Sequence, residues 1–595
     1  MRKAHYLKVN HKTELPTQFI FVDTESNIEQ VDSVHQKHTL KFGWACYVRL
    51  GDDRQDICEW FRFEDAESFW LWCEGKIRAR SKCWLFAHNW NFDAAMISTH
   101  TYILRRGWRV LQYINDSNLF LLKARKDTKT IVLCDTANFF RCSLATLAKS
   151  VGLEKFELPP QNASREIWDR YTRNDVQILV DIILSLRKFI RQHKLGTFQV
   201  SAASQAMNSF RHRFMHHPIL VHDNEDVLRL ERNAYFGGRT EAYYIGEQVG
   251  NFYLLDVNSM YPSVMRYRYY PIRLVSYVRD TSVSLLQLTL KHHVCIAHVV
   301  LRTNSPYYPK RINDHLVFPV GEFETYLADA ELRVAIDNHH VREVLELATY
   351  ESAHIFDDYV NFFYDLKRKY SSENNLAYTY LCKLMLNSLY GKFGQKHHVW
   401  ETVDISEPPL ADEWLEQDGD DAPVVHYRMR FGLVQRQAKD DETENSIPAI
   451  SACVTSAARV RLLHFIQLAG WEHVYYVDTD SLLVDDAGYE RLKMYINSSK
   501  LGWLKLEKYF NHIKIYSPKD YVFDNVVKRK GIRHDAEQLA SDTYTQYHFR
   551  SYEHTLAQND DGYIIVEKVV KKLKRDYNKG VVLANGRVIP YVLPQ

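Results

Sequence analysis

Short apolar runs alternating with helix-period stretches organise the first third of the chain. Residues 19–22, 84–87 and 131–134 read as buried strands, and 175–192 as an apolar-faced helix that closes the unit. Strands interleaved with helices predict an α/β domain over the first 190 or so residues. From about Ser201 onward a larger region follows, with mixed strands and long helices. Inside it, 398–405 and 424–434 look like strands, and between them 407–421 is rich in acids and prolines. This pattern predicts a long β-hairpin with an acidic, mobile tip, or else a disordered surface insertion.

Length and charge sharpen this picture only in part. A chain of 595 residues exceeds one hydrophobic core, so two or more domains are expected. Apolar residues make up 46% and charged residues 25%, an ordinary globular balance. The net charge of +2 neither announces nor excludes a nucleic-acid partner, because basic and acidic surfaces can segregate. Basic clusters at 367–369, 528–530 and 568–575 read equally well as solvated faces. Nine cysteines without a CxxC pair argue against a disulfide framework and against zinc or iron–sulfur sites, and fit a reducing compartment. No apolar run approaches 18 residues, and the N-terminus lacks a signal core.

Candidate chemistry begins with carboxylates. Asp23 and Glu25 follow the first apolar run at i and i+2, on one strand face. Such a pair repels itself unless a cation intervenes, although alone it is equally a solvated strand end. Asp93 lies at a strand-to-helix junction, and Tyr171 and Asp175 share a helical face at i and i+4. Four carboxylates and a phenol are what two-metal phosphodiester hydrolysis requires.

This ordered set resembles the DEDDy 3′→5′ exonuclease domain. The resemblance implies Asp23, Glu25, Asp93 and Asp175 as metal ligands and Tyr171 as the water-orienting group. It also implies that Asn89, Phe92, Ser143 and Leu144 contact a frayed primer strand, whose bases are held by stacking and backbone contacts. Relatives with a protein primer supply a lysine upstream of the tyrosine motif. Residues 156–168 contain none, so Lys155 is the nearest candidate, with a solvated surface lysine as the other reading.

A second constellation is more specific. Tyr476-Val477-Asp478-Thr479-Asp480-Ser481 presents two aspartates at a tight turn between apolar strands, a costly arrangement without a metal. It resembles motif C of family B DNA polymerases. Asp256-Val257-Asn258-Ser259-Met260-Tyr261-Pro262 resembles motif A, and Lys383, Asn387 and Tyr390, on one helical face before Gly391, resemble motif B.

The resemblance implies that Asp256, Asp480 and the Val257 carbonyl hold metal, with Asp478 supporting them. Lys383 would take the nucleotide triphosphate, Asn387 would lie beside the nucleotide, and Tyr390 would meet the nascent base pair. Tyr261 would sit under the sugar and exclude a 2′-hydroxyl. Gly391 is expected to allow close backbone approach. Lys369 is favoured as a second phosphate ligand. Lys519 and Tyr521, at i and i+2 on a strand, resemble a primer-gripping KxY motif. Tyr235, Gly237 and Gly238 resemble a template-binding linker motif.

Taken together, the chain resembles protein-primed family B DNA polymerases of bacteriophages and linear plasmids. That implies an α/β, RNase H-like exonuclease domain at 1–192, followed by an α+β right-hand polymerase at 193–595. The latter divides into a palm with an insertion at 263–360, fingers at about 361–394, a hairpin insertion at 395–447, palm at 448–525 and thumb at about 526–595. About 120 residues separate Pro262 from Lys383, room for an insertion that docks a priming protein. The implied cofactors are Mg2+ or Mn2+, two per active site, with deoxynucleoside triphosphates as substrates. The implied partners are primer-template DNA and a terminal protein, with the chain a monomer in the cytoplasm of a bacterial host. Hairpin residues Arg428, Arg430 and Arg436 are expected to face DNA phosphates. Priming by a nucleic acid, or by no primer, is the nearest alternative. A non-catalytic DNA-binding relative is a remote one, and a reverse transcriptase would show YxDD at the turn.

Overall fold

The computed structural model describes residues 2–51, 55–116, 119–396, 400–405, 411–417, 424–437, 442–557 and 561–594. The three early apolar runs form the centre of a ten-stranded mixed sheet. Gln18–Gln30 pairs in parallel with Lys82–Ala87, which pairs in parallel with Lys129–Asp135. The helix Arg165–Gln192 starts ten residues before the predicted 175 and buries Trp168, Val176, Leu179, Ile183 and Leu186. Against the other side of Gln18–Gln30 lies the antiparallel strand His35–Arg49.

The sheet does not end at residue 192. Tyr563–Lys572 pairs with the start of His35–Arg49, and Thr543–Phe549 and Glu537–Ala540 continue outward. The segment expected as a thumb is therefore hydrogen-bonded into the N-terminal sheet. An edge strand as long as His35–Arg49 leaves backbone groups that another strand satisfies.

A seven-stranded antiparallel sheet follows, in the order Thr240–Ala242, Val474–Asp478, Ser481–Asp485, Gly246–Val257, Leu504–Ser517, Asp520–Phe523, Val526–Lys528. The helix Pro448–Ala469 is long and apolar enough on length and composition to cross a membrane, but 83% of its apolar window is buried inside the protein. The sequence reading found no apolar run of that length because Arg459 interrupts it; here Arg459 is buried and paired with Glu331 at 2.7 Å. Residues 263–360 contribute another sheet, built on Tyr270–Thr281, Val341–Ala353, Val294–Thr303 and Val320–Ala328. The helices Asp357–Ser372 and Leu376–Phe393 pack on each other through a three-residue connection.

The expected hairpin is instead a four-stranded sheet, with Trp400–Ile405, Leu433–Gln437, Val425–Arg430 and Ala411–Glu416 side by side. Part of the supposed mobile tip is thus a strand, while 406–410 and 418–423 lie outside the described residues. The expectation that Arg428 and Arg430 face DNA phosphates is not met, while Arg436 stays at the surface. Arg428 and Arg430 are buried and pair with Glu553 at 3.1 and 3.4 Å, and Arg436 pairs with Glu401 at 2.8 Å. Phe431 packs on Tyr113 and His100 of the N-terminal sheet domain. A guanidinium in so apolar a contact needs a carboxylate partner, and a partner more than a hundred residues away is not visible in a local charge pattern.

Candidate active sites

The first site is assembled from separate elements. Asp23 and Glu25 leave the Gln18–Gln30 strand, Asp93 lies on the short helix Trp90–Met96, and Tyr171 and Asp175 lie on Arg165–Gln192. Two threonines orient the acids: Thr24 donates to Asp93 Oδ1 at 2.7 Å, and Thr172 donates to Glu25 Oε1 at 2.9 Å. Asp135, at the end of its strand, accepts from the backbone N–H groups of Asn89, Trp90 and Ala137 at 2.7–3.0 Å, and so anchors the start of the helix carrying Asp93. The sequence reading missed all three. Their signals were faint: a threonine beside each acidic motif and an acid at a strand end.

Lys155 lies one residue before the stretch in which the resemblance expects a lysine, and it reaches the acids. Its ammonium is 2.5 Å from Asp175 Oδ2 and 3.6 Å from the Tyr171 ring centroid. Asn89 is exposed, with a left-handed φ of 75°, and Phe92 meets the His38 ring edge-on. Ser143 caps the helix Leu144–Ser150 by accepting from Thr146 N–H at 3.3 Å.

Burial and mutual repulsion push these carboxyls up. Burial lifts Asp23 well above the usual range, with Asp175, Asp93 and Glu25 adding to it. Burial likewise raises Asp93 to about 8, Glu25 to about 7 and Asp175 to about 6. Among the described residues, no group of three or more His, Cys, Asp or Glu side chains is drawn tightly enough together to hold an ion as it stands. The donor set nevertheless fits a hard divalent cation. It consists of carboxylate oxygens that repel one another, and Asp175 Oδ1 is buried without a hydrogen-bond partner.

The second site is set by strand register. Asp256 is paired with Ser481 across one ladder and with Lys505 across the other. Asp478 also pairs with Ser481, closing the turn, in which Thr479 adopts φ 65°. Val257 N–H donates to the Asp480 carbonyl at 2.7 Å, so the two motifs are stitched together at the backbone. Burial and the neighbouring Asp480 raise Asp256 to about 7, and burial raises Asp480. These oxygens too fit divalent cations by their chemistry.

The turn is braced from behind by the 235–238 segment. A Cβ on Gly238 would come within 2.7 Å of the Thr479 side chain, so only glycine fits there without displacement. Thr479 N–H donates to the Arg239 carbonyl at 2.7 Å, and Arg459 donates to the carbonyls of Phe236 and Gly237, both at 2.9 Å.

Above the acids, Tyr261 and Tyr390 stack at 4.6 Å. Lys383 is exposed and close enough to the aspartates to oppose their upward shifts. Asn387 is half-buried on the same helix. Gly391 does not mediate a close approach, since a Cβ there would meet open space. Gly394 does, against Tyr235 and Ser451. Lys369 stands on the rim of a hollow of about 680 Å³, 61% exposed and 4.0 Å from Glu373. Its neighbour Lys367 points inward and donates to Ser259 Oγ at 2.8 Å, its pKa lowered by burial and by Lys383. Lys505, missed in the sequence, lines the same hollow.

Lys519 is not within a strand. It occupies the turn before Asp520–Phe523 at φ 64°, with its ammonium 3.7 Å from Asp478. The intervening Asp520 is buried against Arg575 at 3.1 Å, and Tyr521 meets the Tyr476 ring edge-on.

The family model for DNA polymerase type B, organellar and viral, matches residues 152–421. Over those residues the chain is similar to the type B DNA polymerases of viruses and organelles. It is 26% identical to the DNA-directed DNA polymerase of Enterobacteria phage PRD1, over 65% of this chain and 68% of that one. It is 25% identical to the DNA polymerase of Bacillus phage phi29, over 60% of each. It is also 25% identical to a "Probable DNA polymerase" of Neurospora intermedia over 62% of this chain, but the match spans only 39% of that longer protein. The fold is that of phi29 DNA polymerase solved with primer-template DNA and incoming nucleotides, with a TM-score of 0.67 at 16% identity, covering 94% of this chain and all of that one.

Proposed function

We propose that this protein is a DNA-directed DNA polymerase with a 3′→5′ proofreading exonuclease. The observation that carries the reading is the register joining Asp256 to the Asp478-Thr479-Asp480 turn, with Lys383, Lys367 and the Tyr261–Tyr390 stack above it. Divalent cations, Mg2+ or Mn2+ and two per site, would supply activation of the attacking oxygen and neutralisation of the transferring phosphoryl group. Asp256, Asp480 and the Val257 carbonyl would hold them in one site, and Asp23, Glu25, Asp93 and Asp175 in the other.

The chain's own groups do the rest. Lys383 and Lys367 neutralise the nucleotide triphosphate, and Lys369 serves at the rim. Tyr261 lies beneath the sugar and excludes a 2′-hydroxyl, while Asn387 and Tyr390 line the nucleotide's other side. Asp478 steadies the turn. In the RNase H-like exonuclease domain, Tyr171 orients the attacking water and Lys155 holds both Tyr171 and Asp175 in position. Asn89, Phe92, Ser143 and Leu144 guide the frayed strand, whereas Tyr235, Gly237, Gly238, Lys519 and Tyr521 track the duplex and template. The domain division at residue 192, with palm, fingers and thumb beyond it, belongs to the same reading.

Priming by a terminal protein, and location in the cytoplasm, that of a bacterial host cell if the chain is viral, belong to the same reading, which the likeness to the phage polymerases supports. Initiation on a linear template end without an oligonucleotide should yield product covalently linked to the priming protein. Free product, or none while primed templates are extended, would contradict protein priming. The four-stranded sheet that runs from Trp400–Ile405 to Leu433–Gln437, clasped between the N-terminal sheet and Glu553, suits a clamp that encircles DNA and separates strands. Deleting 398–434 should spare short extension but shorten products under single-turnover trap conditions and impair synthesis through duplex. Unchanged strand displacement would make it a passive insertion.

A further inference from the structure

The helix Met260–Met265, which carries Tyr261, runs out into Arg266-Tyr267-Arg268-Tyr269, where cations and aromatics alternate. Tyr267 and Tyr269 are 64% and 61% exposed. Tyr267 adopts φ 60°, a left-handed conformation that is costly for a bulky side chain and marks segments held for a purpose. Its N–H donates to Asp357 Oδ1 at 2.8 Å, and the Arg266 guanidinium lies 4.3 Å from its ring centroid. The Tyr269 ring is set by His354, 4.1 Å away. Both rings are therefore positioned, yet left open to solvent.

Behind them is a cavity of about 760 Å³, floored by Cys453 and Ala457. None of the residues lining it belongs to either set of acids. Arg268, Lys291 and His292 stand on its wall, and among the described residues none of them joins an ion pair. The two carboxylates that reach it are already taken. Asp329 holds Arg333 through two hydrogen bonds at 2.9 and 3.0 Å, and Glu351 holds Arg273. The volume is that of an organic ligand rather than an inorganic ion. Uncompensated cations beside open aromatic faces are the chemistry that grips unpaired bases and their phosphates. An acidic polypeptide would satisfy the cations but leave the two held rings without a role, and a duplex offers no base faces to stack on them.

We propose that the 266–269 segment and this cavity form a binding site for single-stranded nucleic acid, separate from both acidic sites, with bases on Tyr267 and Tyr269 and phosphates on Arg268 and Lys291. The polymerase reading enters only as the source of the strand.

The test uses the full chain with calcium in place of magnesium, and a phosphorothioate-linked oligothymidylate carrying 5-iodouracil. After photocrosslinking, adducts are mapped by mass spectrometry. Adducts on Tyr267 or Tyr269 are expected. A Tyr267→Ala/Tyr269→Ala variant should lose them and weaken this binding event by about tenfold or more, while Tyr267→Phe/Tyr269→Phe keeps them. Arg268→Glu/Lys291→Glu should flatten the salt dependence of this event by about 1.4 in logarithmic slope.

Absence of adducts in wild type, or unchanged binding in the alanine variant, overturns the site. So does polyglutamate competing as well as the oligonucleotide at equal charge, which would assign the cavity to an acidic polypeptide. Loss of adducts in the phenylalanine variant would likewise count against stacking. Extension of a short primed template is measured alongside and should be unchanged in these variants. Wild-type failure to extend would contradict the polymerase reading and leave the adduct result to decide this site.

Discussion

Asp23, Glu25, Asp93 and Asp175 come from a strand and two helices that meet only in the finished fold, and three of them are steadied by a side chain: Asp93 by Thr24, Glu25 by Thr172 and Asp175 by Lys155. Asp256 instead lies on a strand and Asp480 in the turn between two neighbouring strands, stitched together through the backbone, with Val257 N–H on the Asp480 carbonyl and Gly238 packed against Thr479. Side chains tune the first site, and ladder register fixes the second. Perturbing a neighbour should therefore cost the first site activity by moving its acids. In the second it should change what the site binds, while the acids stay in place.

Lys155→Ala gives the largest effect of this kind. Groups that orient metal ligands are worth about 10–100-fold, so degradation of single-stranded DNA should fall by that factor while primer extension is unchanged. An unaltered degradation rate would return Lys155 to the solvated surface. At the other site, Tyr261→Val should raise ribonucleotide incorporation relative to deoxynucleotide by about tenfold or more, the scale of a pocket contact. An unchanged ratio would mean another residue is the gate.

The hollow beside Asp256 sharpens the comparison further. A hydrogen bond to a charged group contributes about 1.5–3 kcal/mol. Lys367→Ala should accordingly raise KM for the nucleotide about tenfold, whereas Lys369→Ala should change it less than about twofold. Equal effects would contradict the inward orientation of Lys367 alone.

The smallest effect is on stability. Folding raises the Asp23 pKa, so its charge opposes folding once pH exceeds the unfolded carboxyl value, and the penalty vanishes below it. At pH 8 without divalent metal, Asp23→Asn should raise Tm by about 1–3 °C, and with magnesium present the same variant should no longer degrade single-stranded DNA. A lowered Tm in calorimetry would mean that the crowding is relieved in some other way.

The contrast also explains what the sequence could show. The Asp478-Thr479-Asp480 turn and Asp256 were legible because each is a local string between apolar runs. Asp93 and Asp175 were legible only as members of an ordered set. Among Lys367, Arg368 and Lys369 the sequence favoured Lys369, whereas the lysine that points inward is Lys367: successive helical residues point about 100° apart, and only the Asp256 strand says which direction is inward. The four-stranded sheet that starts at Trp400 was half legible. Its alternating strands showed, but the partner of Arg428 and Arg430 is Glu553, and strand Ala411–Glu416 lies among acids that read as loop. Joining of the C-terminal strands to His35–Arg49 left no local signal, since pairing partners five hundred residues apart share only an edge.

The central claim is that one chain holds two independent phosphoryl-transfer sites. It is tested most directly by following one labelled primer-template with magnesium, using wild type, Asp480→Asn and Asp23→Ala/Glu25→Ala. Several kcal/mol of charge stabilisation are at stake in each metal set, which corresponds to about 10³-fold in rate. Asp480→Asn should lose extension by that factor and still shorten the primer. Asp23→Ala/Glu25→Ala should lose shortening and still extend a matched end at near the wild-type rate. If either variant loses both activities together while remaining folded, the two sites are not independent and the account fails.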